Sequence, residues 1–289
     1  FVMDDGIVAR LASDRFHITT TTGGAARVLA HMEDYRQTEF TDLTCWLTST
    51  TEHWAVIALQ GPLARQILTP FVDGTDLSNA ALPHMSVVEA AVDGVPARLF
   101  RVSFSGEPGY EINVAAGDAA QVWERLLAAV ETAGGAAYGT EAMHVLRAEK
   151  GYIVVGHDSD GTLTPRDLGL PTGAAKVDFV GKRGMARADL AGSDRYELVG
   201  LECVTGVGAL EEGAQVTSSQ YPAPGTSALG HVTSAYMSPT LGRPIAMAVV
   251  RNGRSRLGDI LWVPMVDGAR QVLLVKPFFH DPEGTRLHG

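Results

Sequence analysis

The most constraining feature of this chain is a change of pattern near residue 195, after which apolar residues no longer recur at helical spacing. From there to residue 289 the chain consists of short apolar and β-branched runs separated by turn residues. Runs of this kind at regular spacing are typical of β-sandwiches and β-barrels. We therefore predict a β-rich C-terminal domain over 195–289, with strands in the segments YELVGLEC, GAQV, LGHVTSAY, PIAMAVV, DILWVPM and QVLLVKPFF.

The first 190 residues mix strand and helix patterns. Residues 2–22 have the pattern of a β-hairpin, and apolar residues then recur at helical spacing behind a Gly-Gly pair. The segment FVGKRGMARADLAGSDR reads as a linker. We therefore predict an α+β chain with one domain over 1–190 and a second over 195–289. Further strands are predicted in WAVIALQ and ARLFRVSFSGEPGYEINVAA, and helices in PLARQIL, DAAQVWERLLAAVETAGG and GTEAMHVLRAEKGY.

Charge and cysteine content narrow the classes of function. The chain carries 33 acidic and 23 basic residues, a net charge of −10, with no basic stripe of the kind that nucleic acids or anionic membranes require. Cys45 and Cys203 have no metal-ligand spacing, and we interpret them as reduced thiols of a cytoplasmic protein. No histidine motif indicates a metal site.

Three kinds of charged residue are candidates for chemistry. At most one carboxylate of the adjacent pair Asp4 and Asp5 can point inward from a strand, because side chains alternate. Glu111 lies in a strand and could accept two parallel hydrogen bonds from an amidine-like edge. Arg147 could clamp an anion. For each of these, spacing alone favours an ordinary surface role, so composition and spacing leave the function open.

Several motifs resemble the glycine-cleavage T-protein (aminomethyltransferase) family, whose members bind tetrahydrofolate. They occur in order along the chain, and the V-T-S-x-x-x-S-P-T-L-G run is the most specific. Other stretches resemble the C-terminal half of heterotetrameric sarcosine oxidase α subunits, a T-protein-like folate domain behind a dinucleotide-binding half. The first set includes MDDGIVARL, FSGEPGYEINV, LRAEKGY and LGHVTSAYMSPTLGRPIAMAVV, and the second includes TTTTGGAARVL, LEEGAQV and FFHDPEGTRLHG.

The resemblance implies a fold, a cofactor and site residues. It implies a T-protein-like fold with a barrel-like C-terminal domain, and an internal start at which the N-terminal part of the fold is missing. Asp5, the second of the D-D pair, is then the catalytic residue beside the reactive folate nitrogen, and Glu111 holds the pterin edge. Thr21 takes the place of a folate-contacting Asn, and Arg147 matches a family Arg whose role is either folate binding or structural. We expect Asp5 and Glu111 to face one cavity.

One departure bears on the activity. T-proteins carry an Arg-Asp pair where this chain has Met143 and His144, which fits the sarcosine oxidase branch better. The leading hypothesis is therefore a domain forming methylenetetrahydrofolate from the imine or formaldehyde released by sarcosine demethylation. Flavin and NAD would lie outside this chain, and other oxidase subunits would be its partners. The alternatives are a free-standing aminomethyltransferase and a non-catalytic folate-binding module. Whether this stretch alone is active, and whether sarcosine or dimethylglycine is the source, stays open.

Overall fold

The structure is a computed structural model that describes residues 1–171, 178–204 and 208–288. They form two compact units, neither of which is one continuous stretch of chain. The N-terminal unit comprises Asp4–Gly139 and Glu283–Gly289, and the C-terminal unit comprises Phe1–Met3 and Thr140–Pro282. These units divide the chain elsewhere than the predicted domains 1–190 and 195–289. The predicted boundary stays a prediction about which parts fold independently.

The N-terminal unit contains a two-stranded and a four-stranded antiparallel sheet. The strands of this unit are β1 (Val8–Arg10), β2 (Phe16–Ile18), β3 (Trp54–Gln60), β4 (Ser86–Val92), β5 (Val95–Arg101) and β6 (Gly109–Ala115). The four-stranded sheet has the order β3-β6-β5-β4, and the two-stranded sheet pairs β1 with β2. The α-helices of this unit are α1 (Ala25–Thr38), α2 (Ala64–Leu68) and α3 (Ala119–Thr132).

The two faces of the four-stranded sheet have different roles. One face packs on α2 and α3 and holds the main apolar core of the unit, which includes Leu99, Tyr110 and Ile112. The opposite face carries Phe100, which belongs to a separate buried cluster with Ala9 of β1. Because strand side chains alternate, the residues between the core positions of β6 point to this second face.

The tail after the C-terminal unit returns to the N-terminal unit. The guanidinium of Arg101, which is fully buried, donates to the backbone oxygens of Leu287 (2.7 Å) and Gly109 (3.1 Å). Arg286 forms an ion pair with Glu107 at 2.5 Å. These contacts explain why the last residues group with a sheet more than 150 positions earlier.

The C-terminal unit is built on a six-stranded antiparallel sheet of order β11-β12-β7-β10-β9-β8. A bridge between Thr217 and Trp262 joins its two edges, so the sheet closes on itself as a barrel. The strands are β7 (Tyr196–Cys203), β8 (Gln215–Val216), β9 (Gly230–Ser238), β10 (Arg243–Arg251), β11 (Ile260–Val263) and β12 (Arg270–Val275). The helices are α4 (Thr140–Lys150), α5 (Lys182–Met185) and α6 (Ala188–Ala191).

The α+β architecture and the β-rich C-terminal domain are confirmed. All six C-terminal runs form strands, and the three long helices and the N-terminal hairpin lie where the sequence predicts them. The predicted linker FVGKRGMARADLAGSDR instead contains the short helices α5 and α6, and the second of these packs through the buried Leu190. Strand β4 was not predicted. The polar, turn-rich segment HDSDGTLTPRDLGLPTG predicts a loop, and its last two residues, 172–173, lie outside the described residues.

In the part of the chain that the structure describes, no helix is both long enough and apolar enough to cross a membrane. The cytoplasmic location therefore stays a prediction.

Candidate functional site

Glu111 lies on the face of the four-stranded sheet that is not occupied by the main core. Its strand neighbours Tyr110 and Ile112 are fully buried in that core, so Glu111 points to the opposite side. It is paired across the sheet with Ala58 of β3 and Phe100 of β5. The carboxylate thus stands between two apolar residues in the middle of the sheet.

The Glu111 carboxylate is short of partners. Burial alone raises the pKa of Glu111 above its ordinary value. Among residues 1–171, 178–204 and 208–288, none donates a hydrogen bond to this carboxylate or forms an ion pair with it. Tyr138 is near enough for the Glu111 charge, together with burial, to raise the pKa of its phenol. Such a carboxylate is suited to accept hydrogen bonds from a ligand that carries two N–H groups on one edge.

Asn113 is a second polar residue on this face that the sequence analysis missed. It lies two positions after Glu111 and is 1% exposed. Its Nδ2 donates to the backbone oxygen of Glu111 at 3.4 Å, and its Oδ1 has no hydrogen-bond partner in the described part of the structure. The i, i+2 spacing in a strand was the signal that could have identified it.

The adjacent acidic pair divides into one buried and one exposed carboxylate. The side chain of Asp4 is 6% exposed, and its two oxygens accept from the backbone N–H (3.1 Å) and the hydroxyl (3.0 Å) of Thr21. A Cβ on Gly24 would lie 1.6 Å from an oxygen of the Asp4 carboxylate, so any other residue there would displace Asp4 from its position. Arg27 of α1 lies 3.8 Å from the same carboxylate. Asp4 therefore ties the first strand to the entry of α1.

Asp5, the predicted catalytic residue, is exposed. Its carboxylate accepts the backbone N–H of Gly6 at 2.8 Å, and no other described residue donates to it. The side chain is therefore free to act on a ligand. Thr21 follows β2 at the start of the 3-10 turn that leads into α1, and its hydroxyl donates to Asp4. A cavity shared by Asp5 and Glu111 stays a prediction.

A buried apolar cluster connects the Asp5 segment to the Glu111 sheet. Ala9 of β1 packs in one buried cluster with Phe100 of β5. Phe100 is in turn the direct cross-strand partner of Glu111. The chain from Asp4 to Leu11 pairs with the chain from Arg15 to Thr21, so the ribbon that carries Asp5 packs on Phe100, the cross-strand neighbour of Glu111.

Arg147 lies in the other unit, in a closed network. It is fully buried and forms an ion pair with Asp158, whose side chain is also fully buried. Its other donors reach the backbone oxygen of Tyr152 (3.0 Å) and the hydroxyl of Ser234 (2.7 Å). Asp158 also accepts from Thr233 at 2.7 Å. These contacts favour the structural role for Arg147, and its folate contact stays a prediction.

The long T-S-x-x-x-S-P-T-L-G motif holds α4 against the barrel. Its first two hydroxyls, Thr233 and Ser234, bind Asp158. Two later ones, Ser238 and Thr240, donate to the buried Glu149 of α4 at 2.5 and 2.9 Å. The motif is thus explained by buried hydrogen bonds within the C-terminal unit.

No group of three or more His, Cys, Asp or Glu among the described residues could hold a metal ion. The two predicted site carboxylates of the N-terminal unit thus differ in environment, because Glu111 is half-buried and Asp5 is exposed.

Sequence comparison defines the class of protein. Residues 1–177 match the family described as the GCVT N-terminal domain, and residues 197–281 match the glycine cleavage T-protein C-terminal barrel domain. The first match alone covers more than half of the chain. The chain belongs to the glycine cleavage T-protein family.

Within this family the chain is similar to subunits of an oxidase. It is 44% identical over 292 residues to the sarcosine oxidase subunit alpha of Corynebacterium sp. (strain P-1), covering 100% of this chain and 30% of that protein. The corresponding subunit of Rhizobium meliloti (strain 1021) is 39% identical with the same coverage. The chain thus spans about a third of the length of these relatives.

Free-standing transferases are also similar. The aminomethyltransferase of Rubrobacter xylanophilus is 35% identical over 288 residues, 97% of this chain and 72% of that protein. The crystal structure of glycine cleavage system aminomethyltransferase T from Bartonella henselae matches with a TM-score of 0.80 at 24% identity, covering 99% of this chain and 73% of that one. This match confirms the T-protein-like fold.

Proposed function

We propose that this chain is a tetrahydrofolate-dependent one-carbon transfer domain. The observation that carries the proposal is the half-buried Glu111 carboxylate, which lacks a donor among the described residues and has the unpartnered Asn113 oxygen beside it. A carboxylate left desolvated without a partner costs stability, so a ligand role explains its position.

These residues fit the group that the family binds. The 2-amino group and ring N–H of a pterin form two parallel donors, which match the two oxygens of a carboxylate. Glu111 would accept both, and Asn113 would offer one further acceptor on the same face. When bound, tetrahydrofolate supplies the nitrogen that accepts the one-carbon unit.

Asp5 is proposed as the residue that assists the transfer. Its carboxylate has one backbone partner among the described residues and is otherwise open to solvent, so it can hold a proton or stabilise charge near a reacting nitrogen. Thr21 supports it through Asp4 on the paired strand segment. Arg147 is proposed to stabilise the C-terminal unit.

The source of the one-carbon unit is proposed from the relatives. Since the chain matches sarcosine oxidase alpha subunits over its whole length, we propose that it receives an imine or formaldehyde from oxidative demethylation of sarcosine and forms methylenetetrahydrofolate. Flavin and NAD would be held by other parts of the enzyme, and other oxidase subunits would be its partners. The second candidate is a free-standing aminomethyltransferase, which the 35% identity to such an enzyme favours.

The proposal is tested by separating binding from transfer in the complete enzyme. Glu111→Ala should weaken tetrahydrofolate binding by about 1.5–3 kcal/mol, the usual cost of lost hydrogen bonds to a charged group. Asp5→Asn should leave affinity nearly unchanged but slow methylenetetrahydrofolate formation, so that formaldehyde is released instead. Sarcosine oxidation should continue in both variants. Equal losses of affinity in the two variants, or an unchanged product yield in Asp5→Asn, would contradict these roles.

A further inference from the structure

His17 of β2 lies between the Asp5 ribbon and the sheet that carries Glu111. It is the direct partner of the buried Ala9 in the β1–β2 pair, so it faces the sheet. Its ring centroid is 5.8 Å from Phe100 and 6.2 Å from Trp54. None of these contacts was anticipated from the sequence.

One polar contact shows that the imidazole of His17 is neutral when the ribbon packs on the sheet. The Nδ1 of His17 lies 3.2 Å from a terminal nitrogen of Arg98. A guanidinium has only donors and remains charged, so Nδ1 must be the acceptor and the imidazole must be neutral. Arg98 cannot turn away freely, because its guanidinium stacks on Trp54 at 4.2 Å and its Nε lies 3.5 Å from Glu89.

The charges around the ring would not neutralise an imidazolium. The charged groups on the packed elements include Arg98 of β5, Glu89 of β4, Glu111 of β6 and Arg15 of the β1–β2 turn, and of these Arg98 is the one whose charge affects the pKa of His17. Glu89 is already shared, since Arg15 donates to both of its oxygens at 3.2 Å. Burial first, and the Arg98 charge second, lower the pKa of His17. A proton on His17 would place two cations side by side.

We propose that neutral His17 is a positioning residue, which seats the ribbon bearing Asp5 against the sheet bearing Glu111 and releases it when protonated. This inference rests on the proposed roles of Asp5 and Glu111. The undocked ribbon binds a proton more readily than the docked one, so docking weakens as the pH falls below the ordinary pKa of histidine. It is complete above that value.

Hydrogen exchange of the ribbon amides tests this without any ligand. Between pH 8 and 5.5, peptides covering residues 7–19 should lose protection by up to about tenfold per pH unit below pH ~6.5, after correction for intrinsic rates. His17→Gln keeps an acceptor for Arg98 but does not titrate, so its protection should not vary with pH. His17→Lys, a permanent cation, should be poorly protected throughout. His31→Gln on α1 is the control and should behave as the wild type.

Two results would overturn the inference: wild-type pH dependence in His17→Gln, or full ribbon protection in His17→Lys. The one-carbon transfer rate of the complete enzyme should lose its acid limb in His17→Gln as well. If exchange behaves as expected but the enzyme does not bind tetrahydrofolate at pH 7.5, the proposed function fails while positioning by His17 stands.

Discussion

At the scale of single residues, Glu111 combines a poor environment for a charge with a good position for a ligand. Burial raises its pKa, and Phe100 and Ala58 flank it across the sheet. A group whose pKa is raised on folding binds more protons in the folded chain, so it lowers stability as the pH rises from the ordinary glutamate value through the raised pKa. Residues kept at such a cost are frequently functional.

Glu111→Gln should therefore stabilise the ligand-free chain at pH 7. The amide keeps the shape but removes the desolvated charge, so the midpoint of thermal unfolding should rise. The advantage should shrink as the pH falls through the raised pKa and vanish below the ordinary value of 4.5, where the wild-type carboxyl is protonated in both states. Differential scanning calorimetry measures both effects. Glu131→Gln, an exposed site on α3, is the control, and a wild type more stable than Glu111→Gln at pH 7 would contradict this account.

The neighbouring acids Asp4 and Asp5 should differ in how much stability the same substitution costs. Asp4→Asn weakens charged hydrogen bonds to Thr21, so it should lower the free energy of unfolding by about 1–3 kcal/mol. Asp5→Asn alters an exposed group and should change stability by no more than about 0.5 kcal/mol. Urea denaturation of the two variants compares them directly. A larger loss in Asp5→Asn would mean that the roles are reversed.

The sequence identified some of these residues and could not identify others. Glu111 and Asp5 emerged from motif resemblance, and Asn113 could have been found from strand alternation. The burial of Asp4 could not, because it depends on Thr21 and Gly24, some 20 positions away. His17 depends on Arg98 of a distant strand. Contacts of this kind follow only from the tertiary arrangement.

At the scale of elements, the strands and helices that were predicted correctly are those with a clear pattern of apolar residues. The clearest case among the C-terminal runs is β10, whose residues alternate between the barrel interior and a face packed on α4 and the loops after it. Strand β4 was missed although Asp93 and Gly94, both with positive φ, form the two-residue turn that joins it to β5. Helices α5 and α6 carry no sequence signal beyond one buried leucine, and four residues are too few for a periodic pattern.

The packing of α4 against the barrel depends on the ion pair between Arg147 and Asp158. Arg147→Met would leave Asp158 as an uncompensated buried charge, so it should cost about 3–5 kcal/mol in urea denaturation. The double variant Arg147→Met with Asp158→Leu should recover part of this loss. Arg243→Met breaks a partly exposed pair with Glu202 and should cost less than about 1 kcal/mol. A stable Arg147→Met protein that no longer binds tetrahydrofolate would instead support the folate contact predicted from the family resemblance.

At the scale of the whole molecule, the chain consists of two units of a T-protein fold. The buried charged residues of the two units differ in their hydrogen-bond partners. In the C-terminal unit, the buried carboxylates of Asp158 and Glu149 accept hydrogen bonds from hydroxyl groups, and Asp158 also pairs with Arg147. In the N-terminal unit, the Glu111 carboxylate accepts no hydrogen bond from a described residue, and the ribbon that carries Asp5 contacts the same sheet through His17 and Arg98. The central claim is therefore that the N-terminal unit binds the pterin and that Glu111 is its anchor.

Calorimetric titration of tetrahydrofolate into the complete enzyme tests this claim most directly, with the wild type, Glu111→Gln and Asp5→Asn compared at pH 7.5. The account predicts equal binding by the wild type and Asp5→Asn. It predicts binding weaker by about tenfold to more than a hundredfold in Glu111→Gln, the equivalent of about 1.5–3 kcal/mol. Equal affinity in Glu111→Gln and the wild type would contradict it.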